Sequence, residues 1–591
     1  MGNAPGVMGQ DENVPGSALP HPQGAARGVL LARLILGVAQ GLALAILAQL
    51  VDAPEAPHPW VAANPKAFGL LVLLSTFLPL PVLLGLGHLR GRVLAAWTLA
   101  AAVLILLLGG HDLRQHGGTT MTPGSILLLF SLGAILLVGG ALVAAADAGR
   151  RWWPRYPDCF EAAWRTALQL AIAGCFVLGF WMVYWIGTGL FRGIGIDVLD
   201  RLGGRAAFTL PVTAVLGAAA VHLADARWRL TLGLRNLLLT LKGWLTPPLA
   251  GLTAAFLLAL PFAGPEMLWH RDEAPTFLFT TAAGLVVLVS AVHGDGRERP
   301  PAILRFSARL ASFLLPLVTA LAAWGLARVI AAGGLTEEGV IGLAVLTVLA
   351  VHAVFYPVAA LRPDMRLLGP TNIGAAMLAL LVLASLNSPL ADPARLEARS
   401  QTDRLLRRAV APDVVNFGNL AQLGRHGRRA VERLARHPDP EIARRAALAL
   451  LPPDRAAGDA AANPVLAPRL RALPDGTLLP PGLAEAMREA LPECLVEECL
   501  ARAFPGAGES AWLVGPVQGG LWAMRPEGEA ADPGPVPTWR RVATYEPSLA
   551  CWDRVPGAFL NGSGRAVPPP LPNLDFDGVT LRPVLQREGC E

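Results

Sequence analysis

Long runs of apolar residues, separated by short polar loops, fill the first two thirds of the chain. Each run is close to the ~20 residues that an α-helix needs to cross a bilayer. We predict membrane spans at Gly28–Leu50, Phe68–Gly87, Val93–Gly110, Ile126–Ala146, Thr166–Leu190, Ala206–Ala224, Leu245–Phe262, Thr276–His293, Leu310–Ala332, Val340–Ala360 and Thr371–Ala391. The pattern is typical of an all-α polytopic membrane protein with about eleven transmembrane helices.

From Asp392 onward the apolar runs shorten and charged residues become frequent. Dipeptides Asp392-Pro393 and Asp439-Pro440 each combine a helix N-cap with proline at the first helical position, which predicts helices after them. We therefore divide the chain into a disordered cytoplasmic tail, a transmembrane helical domain, an exported helical segment and an exported α+β module, covering 1–27, 28–391, 392–451 and 452–591.

The last segment carries the pattern of a small mixed domain. We predict a helix or helix pair over Gly482–Phe504, and Gly519-Gly520 indicates a hairpin between two strands. The predicted strands are Ala511–Val514, Leu521–Met524, Trp539–Tyr545 and Val579–Leu585.

Basic residues in the loops predict the orientation of the spans. With a cytoplasmic N-terminus, 18 Lys and Arg fall on the inside and 7 on the outside. Cytoplasmic loops carry such an excess, so eleven spans would export the C-terminus. One miscounted span would reverse this result. Arg33 lies one turn inside the first span, and we expect its side chain to snorkel to the lipid headgroups.

The cysteines favour the same orientation. Four of the six lie in the predicted exported module, namely Cys494, Cys499, Cys551 and Cys590. An even set in an exported domain predicts two disulfides with three alternative pairings. A four-thiolate metal site is the alternative, but Cys494 and Cys499 are separated by four residues and no second close pair exists.

The amino-acid composition agrees with a large membrane-embedded domain and indicates which kinds of partner to expect. The chain is 53% hydrophobic and 16% charged, and residues 392–591 hold 49 of the 93 charged residues. The net charge is +5, but most basic residues of the membrane part flank spans, so we expect membrane lipid and no nucleic acid as partner. All basic residues except Lys66 and Lys242 are arginines, which indicates GC-rich coding and a bacterial inner membrane.

Several short motifs occur in an order that resembles a known family. They are Arg235-Asn236-Leu237-Leu238-Leu239, Tyr356-Pro357, Leu386-Asn387-Ser388-Pro389, Arg399-Ser400-Gln401 with Leu405, and Gly424-Arg425-His426-Gly427. Over residues 30–450 the chain resembles the bacterial membrane family catalogued as domain-of-unknown-function family 4153. The resemblance implies a polytopic membrane protein and carries no catalytic or ligand-binding residue.

Polar side chains inside the spans are the first candidates for function, because they are costly in hydrocarbon. His352 and Tyr356 are four residues apart, hence on one helix face, just before Pro357. They could form a proton relay or line a substrate path. The alternative, which we favour, is that both make interhelical hydrogen bonds that stabilise packing.

Titratable residues in the predicted outer loops give weaker candidates. His111, His116 and His270 could bind a metal if their loops converged, but no segment shows a specific ligand spacing. Asp52 and Glu55 follow the first span, as acidic residues do in multi-span lipid-linked glycosyltransferases. There Asp52 would be the base and Glu55 its partner.

Two further features leave the function open. Prolines interrupt several spans, as in secondary transporters, but no internal repeat relates them. Arg395–Arg445 holds twelve arginines against six acidic residues, and could bind an anionic lipid, an envelope polymer or a protein, or be a solvated helix face. The chain has no Walker loop, nucleophile elbow or HExxH motif, so we expect no cofactor. We expect a non-catalytic envelope or interaction role, with a transferase and a transporter as alternatives.

Overall fold

The structure is a computed structural model. It describes residues 27–51, 58–116, 124–226, 228–264, 274–297, 299–362, 364–407, 410, 412, 415–450, 470–474, 476–490, 494, 499–503, 511–516, 521–526, 539–545, 574–576 and 579–581. Chain contacts divide it into two units, which are described separately. The first comprises residues 1–409 with 423–426, and the second comprises 410–422 with 427–591.

The first unit is helical. Its helices are α1 (Arg27–Gln49), α2 (Pro59–Ala63), α3 (Pro65–Phe77), α4 (Pro79–Gly85), α5 (Gly91–His116), α6 (Ile126–Gly149), α7 (Tyr156–Gly193), α8 (Val198–Gly203), α9 (Ala206–Ala226), α10 (Trp228–Trp244), α11 (Thr246–Ala263), α12 (Ala274–His293), α13 (Ala302–Gly333), α14 (Glu337–Ala360), α15 (Leu368–Leu386) and α16 (Pro393–Leu406).

Eleven helical segments of the described chain are long and apolar enough to cross a membrane, which is compatible with a multi-pass membrane protein. Each corresponds to one predicted span, so the prediction of about eleven apolar helices is confirmed. The ends differ where polar turns extend a helix beyond its apolar run. Helix α7 spans 38 residues and begins at Tyr156, ten residues before the predicted start at Thr166.

Helices α1 and α9 pack closely against each other. Gly37 and Gly41, one turn apart on α1, lie against the backbone of α9 at Ala214 and Pro211. Small residues at this spacing let two backbones approach within van der Waals contact, which is a main source of helix association in lipid. A further apolar core forms where α12, α13 and α14 pack together, with Tyr356 fully buried in it.

The second unit contains short helices and a small sheet. The helices are α17 (Phe417–Gln422), most of α18 (Gly424–Leu434), α19 (Pro440–Ala449) and α20 (Leu483–Ala490). The strands are β1 (Leu470–Leu473), β2 (Cys499–Ala503), β3 (Trp512–Pro516), β4 (Leu521–Pro526), β5 (Trp539–Tyr545), β6 (Leu574–Phe576) and β7 (Val579–Leu581). Strands β1 to β5 form one sheet in sequence order, and β6 pairs with β7.

Within the five-stranded sheet, β1 and β2 pair in parallel and the other neighbours are antiparallel. The predicted strands correspond to β3, β4, β5 and β7, although residues 582–585 of the last one lie outside the described residues, and β1 and β6 were not predicted. The predicted helix over Gly482–Phe504 is wrong in its second half, because Cys499–Ala503 forms β2. Both of its edges are hydrogen-bonded to neighbouring strands, so tertiary pairing overrides the local helical pattern.

A disulfide belongs to the apolar core of this unit. Cys494 and Cys499 are bonded and fully buried, and they pack with Leu483 and Met487 of α20 and with Trp512 of β3. The prediction of a disulfide-bonded module is therefore confirmed for this pair. Cys551 and Cys590 lie outside the described residues, so the second predicted disulfide stays a prediction.

Candidate functional site

The predicted intramembrane residue Tyr356 belongs to a closed ring of hydrogen bonds between α12, α14 and α15. Its hydroxyl donates to Asn372 Oδ1 at 2.6 Å and lies 2.9 Å from Ser290 Oγ. Asn372 Nδ2 in turn donates to Ser290 Oγ at 3.3 Å. Because the Tyr356 proton is used by Asn372, Ser290 donates to Tyr356 Oη. Each of the three side chains thus donates to the next, an arrangement in which the bonds strengthen one another.

Helix α7 reaches the same ring through its first residue. Asn372 Nδ2 also donates to Tyr156 Oη at 3.3 Å, and the Tyr156 ring lies 5.8 Å from that of His293. Sequence reasoning missed Tyr156, Ser290 and Asn372. The available signal was that Asn372 and Ser290 are polar residues within one turn or two of the end of an apolar run.

His352 lies on the same face of α14 as Tyr356, as their spacing predicts, and the two rings meet edge to face at 5.2 Å. Its Nδ1 lies 3.0 Å from the Val348 carbonyl. A carbonyl only accepts, so Nδ1 carries the proton and Nε2 of the neutral ring is an acceptor. His352 also lines a groove of about 410 Å³ that Lys242 and Trp164 share. It is therefore the member of the predicted pair that a ligand could contact.

A second constellation fixes α16 on the turn between α13 and α14. Glu397 Oε2 accepts from the amide of Glu337 at 2.6 Å, and Ser400 Oγ accepts from that of Leu335 at 3.0 Å. Gln401 Nε2 donates to the Gly333 carbonyl at 3.0 Å and Arg404 Nη2 donates to the Ala332 carbonyl at 2.5 Å.

The Glu337 amide and the Gly333 and Ala332 carbonyls are backbone groups that a helix end leaves without an intrahelical bond, and the Leu335 amide lies in the turn between the two helices. The carboxylate of Glu397 meets the start of α14 and the guanidinium of Arg404 meets the end of α13. Each charge is therefore opposite in sign to the helix dipole it faces. The predicted motif residues Ser400 and Gln401 thus have a docking role.

Of the three predicted metal ligands, only His111 has a described side chain, so the metal site stays a prediction. His111 Nε2 donates to Asp392 Oδ2 at 2.9 Å, in a buried pair, while Asp392 Oδ1 caps α16 by accepting from the Arg395 amide at 3.1 Å. His116 ends α5, and its side chain lies outside the described part, as does the whole of His270. In the described part of the chain, no group of three or more His, Cys, Asp and Glu could hold a metal ion.

The transferase candidates Asp52 and Glu55 lie outside the described residues, so their proposed roles stay predictions. Several arginines of the Arg395–Arg445 patch already have partners. Arg399 pairs with Asp403 at 3.8 Å, and both Arg444 and Arg445 pair with Glu441 at 3.1 and 2.7 Å.

A charged cluster near the ends of α1 and α9 corrects the prediction for Arg33. Its side chain does not snorkel but is fully buried, with Nη2 2.5 Å from Asp225 Oδ2 and 2.9 Å from the Leu86 carbonyl. His88 Nε2 lies 3.2 Å from the same carboxylate oxygen, and Gln169 donates to the other. Arg33 stays inside because Asp225 offers a counter-charge that the span pattern alone does not reveal.

No protein-family model, curated protein or solved structure matches the chain. The fold and its polar clusters therefore define a class, a helical protein compatible with multi-pass membrane insertion. They do not assign it to a family.

Proposed function

We propose that the chain is a bacterial inner-membrane protein with a non-catalytic envelope role, in which the membrane body holds an exported C-terminal region for interaction with another envelope component. The family resemblance over residues 30–450 is part of this proposal. The observation that carries it is the docking of α16, whose side chains at Glu397, Ser400, Gln401 and Arg404 satisfy the ends of α13 and α14. A helix fixed at four points anchors the end of the first unit, from which the chain continues into the C-terminal region.

The proposed orientation has the N-terminus cytoplasmic and the C-terminus exported. The excess of basic residues in alternate loops supports it. The Cys494–Cys499 disulfide supports it independently, because disulfides persist in oxidising compartments and are rare in the cytosol. A reporter enzyme that needs oxidation, fused after Glu591, should be active. Activity only of a reporter that works in the cytoplasm would reject the orientation.

The role itself is tested by complementation of a strain that lacks the protein, with dye or detergent permeability of the envelope as readout. Deletion of residues 452–591 should abolish complementation at unchanged membrane abundance of the truncated chain. Asp52→Asn should complement fully, because the proposal gives that carboxylate no catalytic role. If the truncated chain complements and Asp52→Asn does not, the transferase is favoured and our proposal is rejected.

A transporter is the second candidate, because His352 lines a groove within the apolar helices. Transport through this groove predicts that His352→Ala fails to complement although the protein accumulates normally, whereas loss of residues 452–591 is tolerated. Our proposal predicts the opposite for both variants.

A further inference from the structure

Two apolar grooves in the first unit meet at one polar junction. The first, of about 410 Å³, runs between α7, α10, α12, α14 and α15, and the second, of about 330 Å³, runs between α6, α7 and α15. Both are lined by Tyr156, Phe160, Ala163, Asn372 and Ala376. The two grooves therefore adjoin along the contact between α7 and α15, which the Tyr156–Asn372 hydrogen bond spans, and we call the pair a fork with two arms.

Each arm has the volume of a small-molecule site, for which ~300–1,000 Å³ is typical. The arms are lined mainly by Leu, Val, Ala and Phe, and they lie on helices whose other faces are apolar and exposed. Two apolar arms joined at one polar point match the shape of a molecule with two hydrocarbon chains and one polar head.

Positive charge lies beside the junction. The Lys242 ammonium lines the larger arm 5.1 Å from the centre of the Trp164 ring, and among the described residues no carboxylate is within ion-pairing distance of it. A neighbouring cavity of about 270 Å³ is lined by His293, Arg297 and Arg305. The His293 ring is 5.8 Å from that of Tyr156, so this basic cavity adjoins the fork.

Negative groups near the basic cavity are partly neutralised. Asp364 lines it and pairs with Arg366 at 2.6 Å, and Asp295 pairs with Arg297 at 3.9 Å. Arg305 has no ion-pair partner among the residues that the structure describes. Lys242 in the larger arm and Arg305 in the neighbouring cavity thus have no carboxylate partner among the described residues and can bind an anion.

We propose that the fork binds one anionic glycerophospholipid, with an acyl chain in each arm and the phosphate at Lys242. Charge complementarity selects an anionic head over a zwitterionic one, and the two arms select a two-chain lipid over a free phosphate. The proposal is independent of the envelope role, since α16 and the exported region take no part in it.

The test uses the full-length chain purified in a mild detergent, with lipid binding measured by native mass spectrometry. Phosphatidylglycerol should bind several-fold more tightly than phosphatidylcholine of the same acyl chains. Lys242→Gln should weaken the binding of phosphatidylglycerol about fivefold, because a lysine near anionic headgroups contributes ~1 kcal/mol to binding. The same substitution should leave the binding of phosphatidylcholine unchanged. Lys66→Gln, which removes the chain's other lysine from an exposed position, is the matched control and should bind as the wild type does.

The arms are tested separately from the charge. Ala376→Leu places a larger side chain in both arms and should weaken the binding of both lipids. If that variant does not fold, the wild type with a one-chain anionic lysolipid serves instead, and it should bind more weakly than the two-chain lipid.

Three results would overturn the proposal. They are equal binding of the two phospholipids, an equal effect of Lys242→Gln and Lys66→Gln, and full displacement of phosphatidylglycerol by glycerol phosphate. The last would assign the junction to a soluble phosphate.

Discussion

Adding one methyl group at Gly41 tests how closely α1 and α9 pack. A Cβ at this position would overlap the Cα of Pro211 and lie 2.9 Å from its nitrogen and 3.1 Å from the Leu210 carbonyl. All three are backbone atoms, so no side-chain rotation relieves the overlap, and the helices must separate. Overpacking of this kind typically costs ~1–3 kcal/mol.

The gain in helix propensity partly hides that cost, because alanine favours a helix by up to ~1 kcal/mol over glycine. Gly217→Ala is the matched control, since Gly217 lies on α9 and a Cβ there meets nothing within 4 Å. The propensity gain is common to both variants. The difference between their free energies of unfolding therefore isolates the packing cost, and it should be ~1–3 kcal/mol.

The assay is reversible unfolding of the purified protein in detergent micelles by a denaturing detergent, followed by circular dichroism. The unfolding midpoint of Gly41→Ala should come at a lower denaturant concentration than that of Gly217→Ala. The midpoint of the wild type should equal one of these two values or lie between them. Equal midpoints for the two variants would refute the inference that backbone contact between α1 and α9 stabilises the fold.

Two further substitutions test the buried polar clusters. Asp225→Asn leaves the Arg33 charge buried without a counter-ion, and a lone buried charge costs ~3–5 kcal/mol. Extraction yield and thermal midpoint should fall sharply and recover in part when Arg33→Met is added; no recovery would contradict the pairing. Tyr356→Phe removes the hydroxyl that closes the hydrogen-bond ring and should cost ~0.6–1.7 kcal/mol by the same unfolding assay. An unchanged midpoint would show that the ring does not contribute to stability.

The apolar helices could be predicted because a bilayer imposes a length and a composition on each span separately. Helix α7 shows the limit of that reasoning, since its first turns are polar and extend the helix to Tyr156. Strand β2 shows another limit. Cys499–Ala503 is a strand because β1 and β3 lie on either side of it and pair with it. The local sequence pattern of these five residues does not show which strands will be their neighbours.

The polar clusters were harder to predict for the same reason. Gly37 and Gly41 have the spacing of a close helix contact, but only the fold shows that α9 is the partner. Arg33 looked like a residue that reaches the headgroups, because Asp225 is 192 positions away in the chain. In each case the sequence showed one residue of the interaction, and the packing of the helices determines which residue is its partner.

Tyr356 and His352, which their spacing in the sequence predicts to be a pair, have different roles in the structure. Tyr356 has both of its hydrogen-bonding roles used inside the ring, one as donor to Asn372 and one as acceptor from Ser290. His352 uses only Nδ1, on the backbone of its own helix, and its other nitrogen is an acceptor in a side chain that lines the larger groove. Loss of the Tyr356 hydroxyl should therefore change stability, whereas loss of the His352 ring should change what occupies the groove. A proton relay along the pair would require Tyr356 to leave its ring partners, which disfavours that interpretation of their spacing.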